Sequence, residues 1–266
     1  RHLPEAVRIL SRMVRFPEFP GARFAEEREV ILREEEMGRD NPDRLLYTRL
    51  NASIFQEHPL RHPIIGYREL IAGVTRDIMV DYYAERYTPG RCFWVIVGDA
   101  EPERAFDLVE AEMADWERRS LAEPAIPPEP AQCTARSDAF SFADPLARLA
   151  CGVRIPEISH PDIAGCDVLA GILGMGDGSR LVRRLELESQ LAVNLRSFSC
   201  SQGAGGLLAV TASAVPAKLG KLESALKREL EAIRKGALSK AEVEREKTQQ
   251  YAEHLRELRG IREIAA

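Results

Sequence analysis

Residues 191–215 read LAVNLRSFSCSQGAGGLLAVTASAV. Two extended runs, LAVNLRSFSC and GLLAVTASAV, flank Gly203, Gly205 and Gly206, which is the composition of a β-hairpin. Upstream, ARLACGVRIP at 147–156 is another strand-like piece. Between the two lie an apolar helix at 161–173 (PDIAGCDVLAGIL), the glycine-rich loop GMGDGS at 174–179, and a helix carrying Arg180, Leu181, Arg183, Arg184 and Leu185. Beyond the hairpin, 217–235 and 239–266 have the pattern of charged amphipathic helices, with Ser239 capping the second. Helices and hairpins segregate without a strict strand–helix–strand alternation, so the expected class is α+β and not a doubly wound parallel sheet.

Toward the N-terminus, four prolines (Pro124, Pro127, Pro128 and Pro130) interrupt residues 120–132. Such a segment continues neither a helix nor a central strand. It is expected to be a semi-rigid linker between domains at 1–119 and 133–266. The first domain alternates helical and extended patterns. A helix is expected over 22–37, and Asn41-Pro42-Asp43 reads as a stop, a bend and a new N-cap. The next helix would turn Leu45, Leu46, Leu50 and Ile54 inward. His58-Pro59 and His62-Pro63 break the chain into a loop. Helix resumes over 68–87 with Thr75 and Asp77 as candidate caps, and CFWVIVGD (92–99) has the composition of a buried strand. A helix over about 102–118 completes the domain. At the start, Ala6, Ile9, Leu10 and Met13 recur at helical steps, so the sequence opens in mid-helix and is expected to be part of something longer. HLRELRGIREIAA at the other end likewise stops inside a helical pattern.

Of the 266 residues, 45% are apolar and 30% charged, an ordinary globular mixture that excludes wholesale disorder. No run approaches the ~20 apolar residues of a bilayer span. Acidic residues outnumber basic ones by 42 to 37, for a net charge of -5, against the tilt of a dedicated nucleic-acid binder. The five cysteines are scattered with no C-x-x-C pair, so a structural zinc ribbon or a thioredoxin-type motif is not expected.

The acidic helix is the first candidate site. Glu26, Glu27, Glu29, Glu34, Glu35 and Glu36 share it with Arg23, Arg28 and Arg33, and a solvated, ion-paired face accounts for that charge. Spacing adds a second reading. Glu27, Ile31 and Glu34 lie at i, i+4 and i+7 on one face, which Ile31 would direct toward the core. A buried carboxylate needs a cation or metal beside it. Two helical turns place the two carboxylates roughly 10 Å apart, so one would be a metal ligand and the other a supporting group. His58 and His62 are spaced like zinc-binding histidines on a helix, but Pro59 and Pro63 favour a structural loop. Gly174, Gly176 and Gly178 fit neither a dinucleotide fingerprint nor a P-loop. They make either a plain turn between helices or a loop that handles an extended peptide.

EEREVILREEEMGRDNPD, then HPLRHPIIGYREL, then VTRDIMVDYYAERYTPGRCFWVIVGD, resembles the pitrilysin/insulinase-type zinc peptidases, most of all the processing-peptidase-like bacterial members. ILGMGDGSRLVRRLELESQLAV is similar to the family's glycine-rich segment and the helix leading into its hairpin. The resemblance implies two related domains, each an antiparallel sheet packed with helices, both incomplete here. It also implies a Zn2+ cofactor held by two histidines of H-x-x-E-H and a later glutamate. That glutamate corresponds to Glu34, and the family glutamate seven residues earlier, which supports the catalytic site, to Glu27. No H-x-x-E-H occurs in this sequence, and only 33 residues precede Glu34. The family's arginine–tyrosine pair near the hairpin finds Arg196 but no tyrosine.

The implied function is therefore zinc-dependent hydrolysis of peptides or small proteins by a longer polypeptide, of which this piece alone neither binds zinc tightly nor cleaves. Peptide substrates would bind in a chamber between two such halves, with Gly174, Gly176 and Gly178 as candidate contacts, and the slight acidity would suit basic peptides. A homo- or heterodimer with a related subunit is expected. Two alternatives stand beside this reading: a non-catalytic partner subunit of the same family, and an unrelated helical interaction module.

Overall fold

The computed structural model of the chain describes residues 2–119, 121–122, 125–260 and 264. Contacts divide the chain into two units. One comprises Arg1–Glu35, Ile65–Ala125 and His254–Ala266, and the other Glu36–Ile64 and Ile126–Glu253.

The second unit is built on a three-stranded antiparallel sheet of order β1-β3-β2. Its strands are β1 (Ala147–Ile155), β2 (Asn194–Gln202) and β3 (Gly205–Ala214). The expected hairpin forms, with Ser197 opposite Val210 and Phe198 opposite Ala209. β3 is central and reads as a nearly continuous apolar run because both of its faces are covered. On one face Leu195, Leu208, Val210 and Ala212 pack with Leu173, Leu181, Leu222 and Leu226. These last come from α7 (Ile163–Gly174), the segment leading into a π-helix (Val182–Glu188), and α8 (Leu219–Arg234). On the other face Leu207, Ala209 and Phe198 meet Leu50, Ile54 and Phe55 of α3 (Pro42–Ile54) and its C-cap. Gly152 of β1 makes that approach possible, since a Cβ there would stand 2.8 Å from Ile54 Cδ1. Asn41, the expected stop, is itself the cap of α3, its side chain accepting from the N–H groups of Asp43 and Arg44, and Asp43 lies in the first turn. α9 (Lys240–Glu257) starts at Ser239, whose Oγ accepts from the Glu242 N–H while the Glu242 carboxylate accepts from the Ser239 N–H, a reciprocal capping box.

Helices form the first unit: α1 (Leu3–Arg15), most of α2 (Gly21–Arg39), α4 (Arg68–Gly73), α5 (Arg76–Arg86) and α6 (Pro102–Met113). α1 packs on α6, with Arg15 donating to the Glu112 carbonyl and to the Asp115 carboxylate. The Tyr83 hydroxyl donates to the Val14 carbonyl, and its ring stacks on Tyr87.

Several expectations are corrected. The single helix over 68–87 is two, because the chain is extended at Val74 and Thr75, and Thr75 alone caps the second through its Oγ1 at 3.3 Å from Ile78 N. Asp77 sits in the first turn. The helix expected to run to 118 ends at Met113. CFWVIVGD forms no strand among the described residues, and Phe93 is 87% exposed, so it is not a buried strand. Of the linker, Ser120, Glu123 and Pro124 lie outside the described residues, as do residues 261–263 and 265–266 of the expected C-terminal helix. The rest of 120–132 has neither helix nor strand. Among the described residues no helix is long and apolar enough to cross a membrane.

Candidate functional site

The phase of α2 decides how its carboxylates are presented. Phe24, Arg28, Leu32 and Glu35 recur at steps of four, four and three and form the packed stripe, with Leu32 only 9% exposed. Arg28 Nη1 donates to the Val74 carbonyl at 3.2 Å. Arg68 Nη1 donates to the Leu32 carbonyl at 3.4 Å and lies 3.6 Å from the Glu35 carboxylate. Those contacts fix the helix rotation. Glu27, Ile31 and Glu34 consequently lie roughly a quarter-turn away. Ile31 is 38% exposed and both glutamates are exposed, so the inward-facing arrangement read from the spacing is corrected. The carboxylates of Glu27 and Glu34 have no hydrogen-bond or ion-pair partner among the described residues. A catalytic zinc takes three protein ligands and an open position. Among the described residues no group of three or more His, Cys, Asp or Glu side chains could hold a metal ion. The described residues therefore do not fit a zinc ion by themselves.

His58 is buried at 6% exposure, and its Nδ1 accepts from the Leu60 N–H at 3.1 Å. It caps the 3-10 turn Pro59–Arg61, a structural task.

The three glycines of GMGDGS differ in their duties. Gly174 is buried where α7 crosses β2, and a Cβ there would stand 2.5 Å from the backbone nitrogen of Ser197. Gly176 has φ +80°, a left-handed conformation that favours glycine. Its carbonyl accepts from the Ser179 N–H and hydroxyl, which closes the turn. Nothing lies within 4 Å of a Cβ built on Gly178. Met175 to Gly178 form the exposed tip.

Sequence reasoning missed what anchors this loop. Arg180, 6% exposed, makes two 2.8 Å bonds to the Glu242 carboxylate and a third to the Ala237 carbonyl. Arg184 makes two bonds of 2.8 and 2.7 Å to Glu229. The Arg180 bonds, helped by the Ser239 N–H and hydroxyl against the opposing effect of burial, push the Glu242 carboxyl down to about 2. Both pairs are long-range, so no local spacing could reveal them. Glu129 was missed as well. Its carboxylate accepts from the N–H groups of Gln56, Glu57 and His58 at 2.7, 2.8 and 2.9 Å, and lies 3.7 Å from Arg154. Burial raises its pKa, but the three N–H donors and Arg154 outweigh that and hold it below the usual carboxylate range. A lone acid between Pro128 and Pro130 was the available signal.

The family model described as "Peptidase M16 inactive domain" matches residues 73–250. The probable mitochondrial-processing peptidase subunit beta of Schizosaccharomyces pombe is 29% identical over 279 aligned positions, covering 99% of this chain and 60% of that protein. The zinc protease PqqE of Helicobacter pylori is 27% identical over 250 positions, covering 91% of this chain and 56% of that one. This chain thus spans little more than half the length of either relative. Among solved structures, a protease from Helicobacter pylori superposes with a TM-score of 0.91 at 24% identity, covering 99% of this chain and 65% of that one. The peptidase M16 inactive domain from Pseudomonas fluorescens gives 0.81 at 21% identity, covering 92% and 60%. At those identities the two likenesses establish the fold.

Proposed function

Since the chain belongs to the peptidase M16 family, through the domain described as inactive, we propose that these 266 residues serve a zinc-dependent endopeptidase as its non-metal-binding part and are inactive alone. The observation that carries this is Glu34. It is exposed, without a partner among the described residues, and held on a helix whose rotation is locked by Arg28, Leu32 and Arg68, so it is a carboxylate available as one ligand to a metal whose other holders lie outside this stretch. Glu27, two turns earlier on the same stripe, would support that site electrostatically. The exposed tip around Gly176 and Gly178 is offered as a contact for an extended peptide, with Gly174 serving to seat it on β2.

A second reading is a non-catalytic subunit that closes a substrate chamber in partnership with a related chain. What favours it is that the Schizosaccharomyces pombe relative is named as a subunit of a processing peptidase.

Metal analysis and peptide hydrolysis distinguish these. The 266-residue chain, equilibrated with zinc and desalted, is expected to retain none and to leave a quenched peptide library intact. The longest polypeptide encoded by its reading frame is expected to retain zinc and to cleave, and Glu34→Gln there should abolish both. Zinc retained by the 266-residue chain and lost in Glu34→Gln would overturn the inactive-alone reading. A zinc-free, inactive longer product would establish the subunit reading instead.

A further inference from the structure

His58 is a buried titratable side chain that the proposed function leaves unused. Its two ring nitrogens have different fates. Nδ1 accepts from the Leu60 N–H at 3.1 Å and so closes the turn Pro59–Arg61. Nε2 is buried and has no hydrogen-bond partner among the described residues. A neutral imidazole has one acceptor nitrogen and one N–H, so accepting at Nδ1 puts the proton on Nε2. An imidazolium has two N–H groups and no acceptor. Here one of them would point at the Leu60 N–H, and the other would have nothing to donate to. The surroundings give an added charge no anchor. The Phe55 ring lies 5.4 Å from the imidazole, centroid to centroid, and β2 and β3 bring Phe198, Leu207 and Ala209 to the same cluster, on which Leu60 packs. The Glu129 carboxylate meets the His58 backbone N–H, but it also accepts from Gln56 and Glu57 and is matched by Arg154 of β1 at 3.7 Å. The other groups bonded around the turn are cations or basic: Arg61 donates to the Gln56 carbonyl, Arg136 to the carbonyls of Ser53 and Ile54, and the His62 N–H to the Pro59 carbonyl. Glu57 is exposed.

We infer that His58 is a pH-sensitive latch: while its imidazole is neutral it holds the turn Pro59–Arg61 closed, and a proton on Nδ1 releases the turn and withdraws Leu60 from Phe198, Leu207 and Ala209. The proton takes the lone pair that the Leu60 N–H needs, so the closed turn and the charged ring exclude each other. Between pH 5 and 8 histidine is the side chain that ordinarily changes charge. Glu129 stays charged across that window: burial raises its pKa, but the three N–H donors and Arg154 outweigh this and hold it below the usual carboxylate range. The strap that Glu129 makes on residues 56–58 therefore persists while the turn beside it opens. The latch is independent of the role given to Glu34 and of any metal.

Hydrogen exchange on the 266-residue chain, corrected for the intrinsic pH dependence of amide exchange, tests it. The amides of Leu60, Arg61 and His62 donate to His58 Nδ1, the His58 carbonyl and the Pro59 carbonyl. Their protection should fall by on the order of tenfold or more between about pH 7.5 and about pH 5.5. In His58→Asn a side-chain oxygen can accept the same N–H and takes up no proton, so protection should be alike at the two pH values. Unchanged protection in the parent overturns the inference, and so does an equal loss in parent and variant, which would assign the change to another group. Should His58→Asn fail to fold by circular dichroism, the parent alone decides, through nitrogen NMR of its labelled histidine rings. Protonation of His58 Nδ1 should coincide with the loss of protection. A ring that takes up its proton while these amides stay protected, or amides that lose protection while Nδ1 stays bare, overturns the latch.

Discussion

Gly174, the last residue of α7, and Gly178, in the turn after it, stand four residues apart and face opposite consequences on substitution. A methyl group at Gly174 has to enter space held by the backbone of Ser197, which cannot move without disturbing the β2–β3 ladder. Gly174→Ala is expected to cost about 2 kcal/mol of unfolding free energy, the range of overpacked cores. Gly178 has open space around its Cα and no left-handed φ, so Gly178→Ala should stay within about 0.5 kcal/mol of the parent. Urea denaturation of the two variants checks the contrast, and equal losses would show that the loop seats differently. At this scale, too, a one-residue difference in phase, Leu32 rather than Ile31 inward, decides that Glu27 and Glu34 face water.

At the scale of elements, the start of α9 is tied to the segment after the glycine loop by Arg180 and Glu242. Glu242 titrates at about 2 in the folded chain against an ordinary value of 4.5. A carboxyl with a depressed folded pKa contributes stability that is complete above its unfolded pKa and lost as pH falls through the folded one. The contribution, on the order of 3 kcal/mol for this partly buried group, should therefore fade between about pH 4.5 and 2. Glu242→Gln should flatten that part of the stability–pH curve, measured by thermal unfolding at a series of pH values. An unchanged slope would assign the acid sensitivity to other carboxylates, Glu129 foremost among them. Arg180→Met should be less stable than the Arg180→Met, Glu242→Gln double variant in the same measurement, because alone it leaves a carboxylate partly buried without its cation.

Over the whole molecule, the two units differ in what holds them. The sheet unit buries a continuous apolar core on both faces of β3, whereas the helical unit encloses only Val7, Leu32 and Ala105 among the described residues. Apolar burial is the main stabilising term in folding, so the helical unit should open first. Both tryptophans, Trp94 and Trp116, belong to that unit. Tryptophan fluorescence should accordingly report unfolding at lower urea than far-UV circular dichroism at wavelengths weighted to the sheet. Coincident transitions would mean a single cooperative unit.

The sequence by itself determined what depends on neighbours along the chain: the hairpin from its alternating runs and glycines, the cap at Ser239, the α+β class from the order of elements, and the family through motifs spread along the sequence. It also marked Glu27 and Glu34 as a pair on one helical stripe, since a period of 3.6 is a local property. Only the tertiary structure decided which way that stripe faces, because helix rotation is fixed by contacts such as Arg28 with Val74, many residues away. For the same reason it alone showed the split at Val74, the clamp of Glu129 on residues 56–58 and the Arg180–Glu242 tie. CFWVIVGD shows the limit most plainly: β-propensity is a local property, but a segment becomes a strand of a sheet only when another backbone lies alongside to share its hydrogen bonds.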